Sequence, residues 1–144
     1  MSDRNKMQYT IHVNEEKGIV AVRVTNGVQQ LRDEYVNFCV KYGVFNPNYL
    51  DNFISKYGKQ IDKLVGIASC NREGGDEFDI EFGVNLARER VMACFESYRT
   101  KFYTELCLRL DHIAELASIR AERSDSRRFE RFDRINELIE SLKD

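Results

Sequence analysis

The chain has no tryptophan, a single proline and no glycine after Gly83. The last absence is the most informative, because glycine and proline are the residues that stop helices. Residues 84–144 therefore contain no strong helix breaker. No window approaches the ~18 consecutive apolar residues of a membrane span, and the N-terminal MSDRNKMQYT lacks the apolar stretch of a secretory signal. The expectation is a cytoplasmic chain with no membrane partner.

An excess of charge of either sign is missing too. Twenty-two Lys and Arg face 24 Asp and Glu, for a net charge of −2. A dedicated duplex-DNA binder carries a basic excess and an acidic DNA mimic a large negative one, and this chain has neither. Paired metal ligands are also absent. Cys39, Cys70, Cys94 and Cys107 form no C-x-x-C, and His12 and His112 lie far apart. Structural zinc needs closely spaced pairs, so no metal or other cofactor is expected. Buried free thiols in a reducing compartment are the expectation instead.

What is present suits one domain, 1–144, since 144 residues can bury a core without staples. Residues 8–24 alternate: Tyr9, Ile11 and Val13, then Val20, Val22 and Val24, with a turn at Asn14–Gly18. That is a β-hairpin pattern. Val28, Leu31, Tyr35, Phe38 and Cys39 recur at helical spacing up to Gly43. Asn46-Pro47 reads as a cap followed by proline in the first turn, opening a helix expected to stop at Gly58. Residues 60–70 return to a strand pattern, and Asp79 is placed to cap the next helix.

From Val84 to Ala117 the apolar residues follow steps of three and four. Ser124-Asp125-Ser126 offers a capping turn, and Phe129, Phe132, Ile135, Leu138, Ile139 and Leu142 form a second stripe beyond it. The spacing predicts a helical hairpin whose overhanging apolar face is met by a second copy. The fold class expected is α+β, predominantly helical. A small N-terminal antiparallel sheet with helices occupies 1–83, and a long C-terminal helical hairpin occupies 84–144.

Chemistry-bearing groups are sparse. Glu73, Asp76, Glu77, Asp79 and Glu81 form an acidic cluster without the ligand spacing of a calcium loop. Carboxylates there can cap a helix and stay solvated. Gly74-Gly75 resembles a phosphate cradle only weakly, because no lysine follows and acids surround it. Cys107 and His112 are five residues apart and share a helix face poorly. With no nucleophile–base pair in view, no catalytic residue is assigned and the chain is not expected to be an enzyme.

The arginines stand out. Arg120, Arg123, Arg127, Arg128 and Arg131 crowd the expected hairpin tip, where arginine forks suit phosphate, RNA or carboxylate partners and Phe129, Phe132 and Tyr98 could add stacking. Acids are interleaved with them. Residues 118–144 hold six Arg and one Lys against seven acids, which also fits an exposed helix laced by ion pairs. A small-ligand alternative would bring Arg88 or Arg99 together with Phe82 or Tyr98.

One segment resembles known proteins. Gly66, Ala68 and Cys70 are followed by Asp76, Phe78, Asp79, Glu81 and Gly83 in a D-x-F-D-x-E-x-G pattern, then by Ala87 and Arg90. Residues 64–90 are similar to a segment of small proteins from phages and prophages infecting Firmicutes. The resemblance implies a phage origin more than an activity, and some of the similar proteins resemble phage counter-defence proteins, including sponges for cyclic nucleotide signals of the Thoeris type. The function expected is that of a counter-defence protein that binds a host defence protein or ribonucleoprotein in the manner of an anti-CRISPR, with the sponge as the alternative. A homodimer or higher oligomer, and a role in phage structure or assembly, are further expectations. Within the segment, Phe78 would pin the helix entry, and Gly83 and Ala87 would let helix and sheet approach closely.

Overall fold

The computed structural model describes residues 6–44, 46–70 and 77–143. Three strands and three helices follow in the order β1 (Tyr9–Asn14), β2 (Ile19–Val24), α1 (Gly27–Tyr42), α2 (Pro47–Asp62), β3 (Val65–Ser69) and α3 (Ile80–Lys143). The α+β, mainly helical class and the small antiparallel sheet match the sequence expectation. By compactness the chain divides into two units, Met1–Tyr103 and Thr104–Asp144. No helix among the described residues is long and apolar enough to cross a membrane.

In the first unit the sheet runs β1-β2-β3, antiparallel throughout. Val20, Val22 and Val24 share one face of β2 and are almost fully buried, packed in one cluster with Ala68, Ala87 and Val91. Their partners on β1 fare differently. Ile11 pairs with Val22 and Val13 with Val20, yet both remain about two-fifths exposed, at 43% and 41%. β1 is an edge strand, and its alternation marks a face without guaranteeing cover.

Gly66 sets the closeness of β3 to α3. A Cβ built on it would fall 2.0 Å from the backbone oxygen of Ala87, so no side chain fits there. Gly83 repeats the theme against Val20, with a Cβ position 2.9 Å from its Cγ2. Both agree with the close approach expected of this segment. Arg90 then donates from its guanidinium to the carbonyl of Ile67 at 2.6 Å, tying helix to strand.

The remaining core is aromatic. Leu31 and Tyr35 of α1, Leu50, Phe53 and Ile61 of α2, and Phe95 and Phe102 of α3 are buried. The Phe102 ring lies 5.0–5.4 Å from those of Phe53, Tyr49 and Tyr35, distances typical of edge and offset packing. The Tyr49 hydroxyl donates to the carbonyl of Phe102, and the Tyr35 hydroxyl donates to that of Asn46 at 3.0 Å.

Helix ends follow sequence chemistry. Gly43 ends α1 in the left-handed region at φ 66, a conformation that glycine adopts at low cost. Asn46 caps α2 by accepting from the Tyr49 amide, with Pro47 in the first turn. Asp79 accepts from the Phe82 amide at 3.1 Å at the start of α3.

Three expectations are corrected. α2 does not stop at Gly58 but continues to Asp62, so Ile61 is helical and β3 begins only at Val65. A glycine inside a helix costs about 1 kcal/mol, and fully burying Ile61 offsets that. The helical hairpin is not formed, because α3 is one helix from Ile80 to Lys143 and passes through Ser124-Asp125-Ser126 without a break. Serine and aspartate lose only tenths of a kcal/mol inside a helix. Asp125 pairs with Arg128 at 2.8 Å, one turn on, rather than capping a new start. The cysteines are free, as expected, but not deeply buried: Cys94 and Cys107 are exposed, Cys39 and Cys70 partly so.

Candidate functional site

The arginine-rich stretch lies wholly in the second unit, where every residue from Asp111 to Lys143 is exposed. Arg120, Arg123, Arg127, Arg131 and Arg134 follow steps of three, four, four and three. At 100° per residue these steps keep all five within one face of α3, about 21 Å long. Arg128, expected to belong with them, points to a neighbouring face and pairs with Asp125. Arg134 replaces it. The signal for that exchange was already in the spacing.

By the same count Glu122, Asp125 and Asp133 lie on other faces of the helix, while Glu130 and Glu137 border the row on the side of Arg123. Among the described residues, the pair Arg128–Asp125 is the one ion pair formed by the arginines of 120–134. Interleaving in sequence has therefore not become lacing in space. The five guanidiniums of the stripe carry fixed positive charge and present their donors outward. Such a row can grip carboxylates or phosphates bidentately.

The four residues of the small-ligand alternative are not brought together. Phe82 is 67% exposed and borders a cleft of about 330 Å³ with Gly18, Cys70, Glu77 and Asp79. Arg88 sits over the ring of Tyr9, 5.2 Å from its centroid. Tyr98 lies 6.0 Å from Tyr57.

Arg99 is committed elsewhere. It donates to Glu34 at 2.8 Å and pairs with Glu96, its guanidinium 4.9 Å from the Phe95 ring centre. Burial works against its charge, but Glu34 and Glu96 outweigh burial and hold it above its usual range. Tyr103 donates to the other Glu34 oxygen at 3.2 Å. Burial, then the Glu34 charge, pushes that phenol up to about 12. This network joins α1 to α3 across 65 positions of sequence, and nothing in the pattern of either helix foretold it.

The cleft beside Phe82 is one concave candidate of the first unit. Its acids, Glu77 and Asp79, oppose an anion at the α3 N-terminus. Glu73, Gly74, Gly75 and Asp76 lie outside the described residues. Among the described residues no three His, Cys, Asp or Glu side chains converge as a metal site would require. Between α1 and α2, Tyr35, Val36, Cys39, Val40 and Leu50 border an apolar cleft of about 340 Å³. In comparisons with known proteins, no family model, no curated protein and no solved structure matches the chain.

Proposed function

We propose that the chain is a non-enzymatic counter-defence protein that acts inside a host cell by binding. It would dock the arginine face of α3 onto an acidic surface of a host defence protein or ribonucleoprotein, in the manner of an anti-CRISPR inhibitor. The observation that carries the docking surface is the row Arg120, Arg123, Arg127, Arg131 and Arg134 on one exposed helix face, free of partners among the described residues. The class of partner comes from the resemblance of residues 64–90 to phage proteins. A row of five permanent cations about 21 Å long costs solvated charge repulsion within the helix, and an acidic partner relieves it.

The test is co-purification from a defence-carrying host, comparing the natural chain with R120E/R123E/R127E/R131E. A stoichiometric protein or ribonucleoprotein that is held by the natural chain and lost from the variant supports the reading. Equal retention by both places the contact elsewhere. The sponge reading places its pocket at an interface between copies, and within one chain Phe82, Arg88, Tyr98 and Arg99 do not line one cavity.

A further inference from the structure

The two outer edges of the sheet differ, and the hydrogen-bond ladder fixes which backbone groups each edge presents. Cys70 donates its amide to the carbonyl of Gly18, and Thr25 donates to that of Gln8. Hydrogen-bonded pairs alternate along an antiparallel ladder. Counting from those two pairs, Val65, Ile67 and Ser69 of β3 turn their N–H and C=O groups outward. On β1 the outward residues are Tyr9, Ile11 and Val13.

The β3 edge is closed at its middle, because Arg90 donates to the outward carbonyl of Ile67 at 2.6 Å. The β1 edge has no such guard. Edge strands are commonly protected by charge, proline or a bulge. From Met7 to Asn14 the sequence holds no Asp, Glu, Lys, Arg or Pro, and β1 pairs with β2 residue for residue, without a bulge. Every residue of β1 after Tyr9 is exposed. A row of outward N–H and C=O groups is matched by another strand.

We propose that β1 pairs antiparallel with β1 of a second copy, about a two-fold axis at Ile11, to join the two three-stranded sheets into one. This register sets Ile11 against Ile11 and Tyr9 against Val13, so the outward groups of all three residues gain partners. A shift by one residue would oppose outward groups to groups already bonded to β2. A shift by two would leave Tyr9 or Val13 opposite a residue outside β1.

The ends of the strand favour a second copy over an unrelated strand. In the same register Lys6, just before β1, comes level with Glu16 in the turn after it, once on each side of the axis. Among the described residues neither forms an ion pair within the chain. A parallel pair would set Lys6 against Lys6 and Glu16 against Glu16. The Asn26 side chain bonds the Lys6 carbonyl at 2.9 Å and the Gln8 amide at 2.8 Å, which fixes the course of the chain into β1.

The side chains agree with the register. Tyr9, Ile11 and Val13 lie on the sheet face of Val24, Val22 and Val20. Arg88 of α3 covers Tyr9, while Ile11 and Val13 stay exposed. Pairing adds the cross-strand contacts Tyr9–Val13 and Ile11–Ile11 on that face. One strand pair is a small interface, so the association is expected to depend on concentration. It uses no residue of the arginine row, and either proposal can fail without the other.

The test uses the full chain. Sedimentation is expected to show a mass that rises from one chain toward two as concentration increases. Over the same range residue-resolved hydrogen exchange should slow at the amides of Tyr9, Ile11 and Val13, while those of Thr10 and His12 are slow throughout. Ile11→Lys places like charges on the axis and is expected to weaken the pairing roughly tenfold, with protection of β2 retained. Val13→Pro removes an outward N–H that β2 does not use and should weaken it as well. Lys6→Glu is expected to weaken it several-fold, and adding Glu16→Lys to restore it. Pairing that ignores both charge changes would exclude the antiparallel register and overturn the proposal. A chain that stays monomeric would leave this edge to a strand of another protein and overturn it too, as would a dimer unmoved by Ile11→Lys.

Discussion

The same periodic stripe runs along both halves of α3 and ends in two different states. Ala87, Val91, Phe95 and Phe102 follow helical steps and are fully buried. Phe132, Ile135, Leu138 and Leu142 follow the same kind of steps and remain 47–86% exposed. Spacing therefore reports a face and not its partner. What separates the halves is the chemistry of the neighbours. The first half alternates Ala87 and Gly83 with large side chains and meets Gly66 and Val20, which leave it room. In the second half every residue from Asp111 to Lys143 is exposed, large apolar side chains included.

The sharpest way to break this contrast is to make one truncation in each half. Phe102→Ala removes a ring surrounded by Tyr35, Tyr49 and Phe53. A loss of about 3–5 kcal/mol in urea unfolding is expected, in line with buried phenylalanine truncations. Phe132→Ala is expected to change the unfolding of the sheet-bearing unit by less than ~0.5 kcal/mol. Hydrogen exchange at β2 separates that unit's stability from any effect on α3. Equal losses in the two variants would show that the exposed half is as integral to the core as the buried half.

Next in size is Gly66→Ala. Its methyl would sit 2.0 Å from the Ala87 carbonyl oxygen, and backbone cannot swing aside as a side chain can. An overpacking cost of about 3 kcal/mol is expected, measured as a drop in urea midpoint at unchanged m-value. Gly83→Ala meets only a methyl of Val20, which can rotate or shift, and should cost less. A neutral Gly66→Ala would show that α3 is not held against β3 as closely as described.

These variants also mark how far the sequence could be read. The hairpin, the Gly43 stop, the Asn46-Pro47 start and the Asp79 cap were legible because each rests on a local rule of turn or cap chemistry. Gly58 misled because its penalty is local, whereas the burial of Ile61 that outweighs it is tertiary. Ser124-Asp125-Ser126 misled for a related reason. Capping residues permit a helix start without enforcing one, and no glycine or proline there compelled a break. At the candidate site the arginine row was legible in part. Counting residues by 3.6 would have exchanged Arg128 for Arg134, but the partnering of Arg99 with Glu34 depended on the packing of α1 against α3.

A smaller effect tests the polar contact between those two helices. The Tyr103 phenol, raised to about 12 by burial and the Glu34 charge, holds its proton more tightly than an unfolded tyrosine at about 10. Between those values the unfolded chain has lost the proton while the folded chain keeps it. Stability contributed by this group is thus full below pH ~10 and declines as pH rises toward 12. Phe at 103 removes the titration. The natural chain is expected to lose stability more steeply than Tyr103→Phe over that interval, followed by urea midpoints at matched ionic strength. Parallel slopes would mean that the phenol stays in contact with solvent.

The smallest expected effect lies on the exposed helix. Arg128 and Asp125 are paired at 2.8 Å with side chains 60% and 56% exposed, so solvent screens most of their attraction. Asp125→Ala replaces a poor helix residue with the best one, and the gain in propensity of a few tenths of a kcal/mol opposes the loss of the pair. The two nearly cancel, and the helical circular dichroism of the chain should change little. A clear loss of helical signal in Asp125→Ala would show that this exposed pair holds the helix more strongly than solvent screening allows.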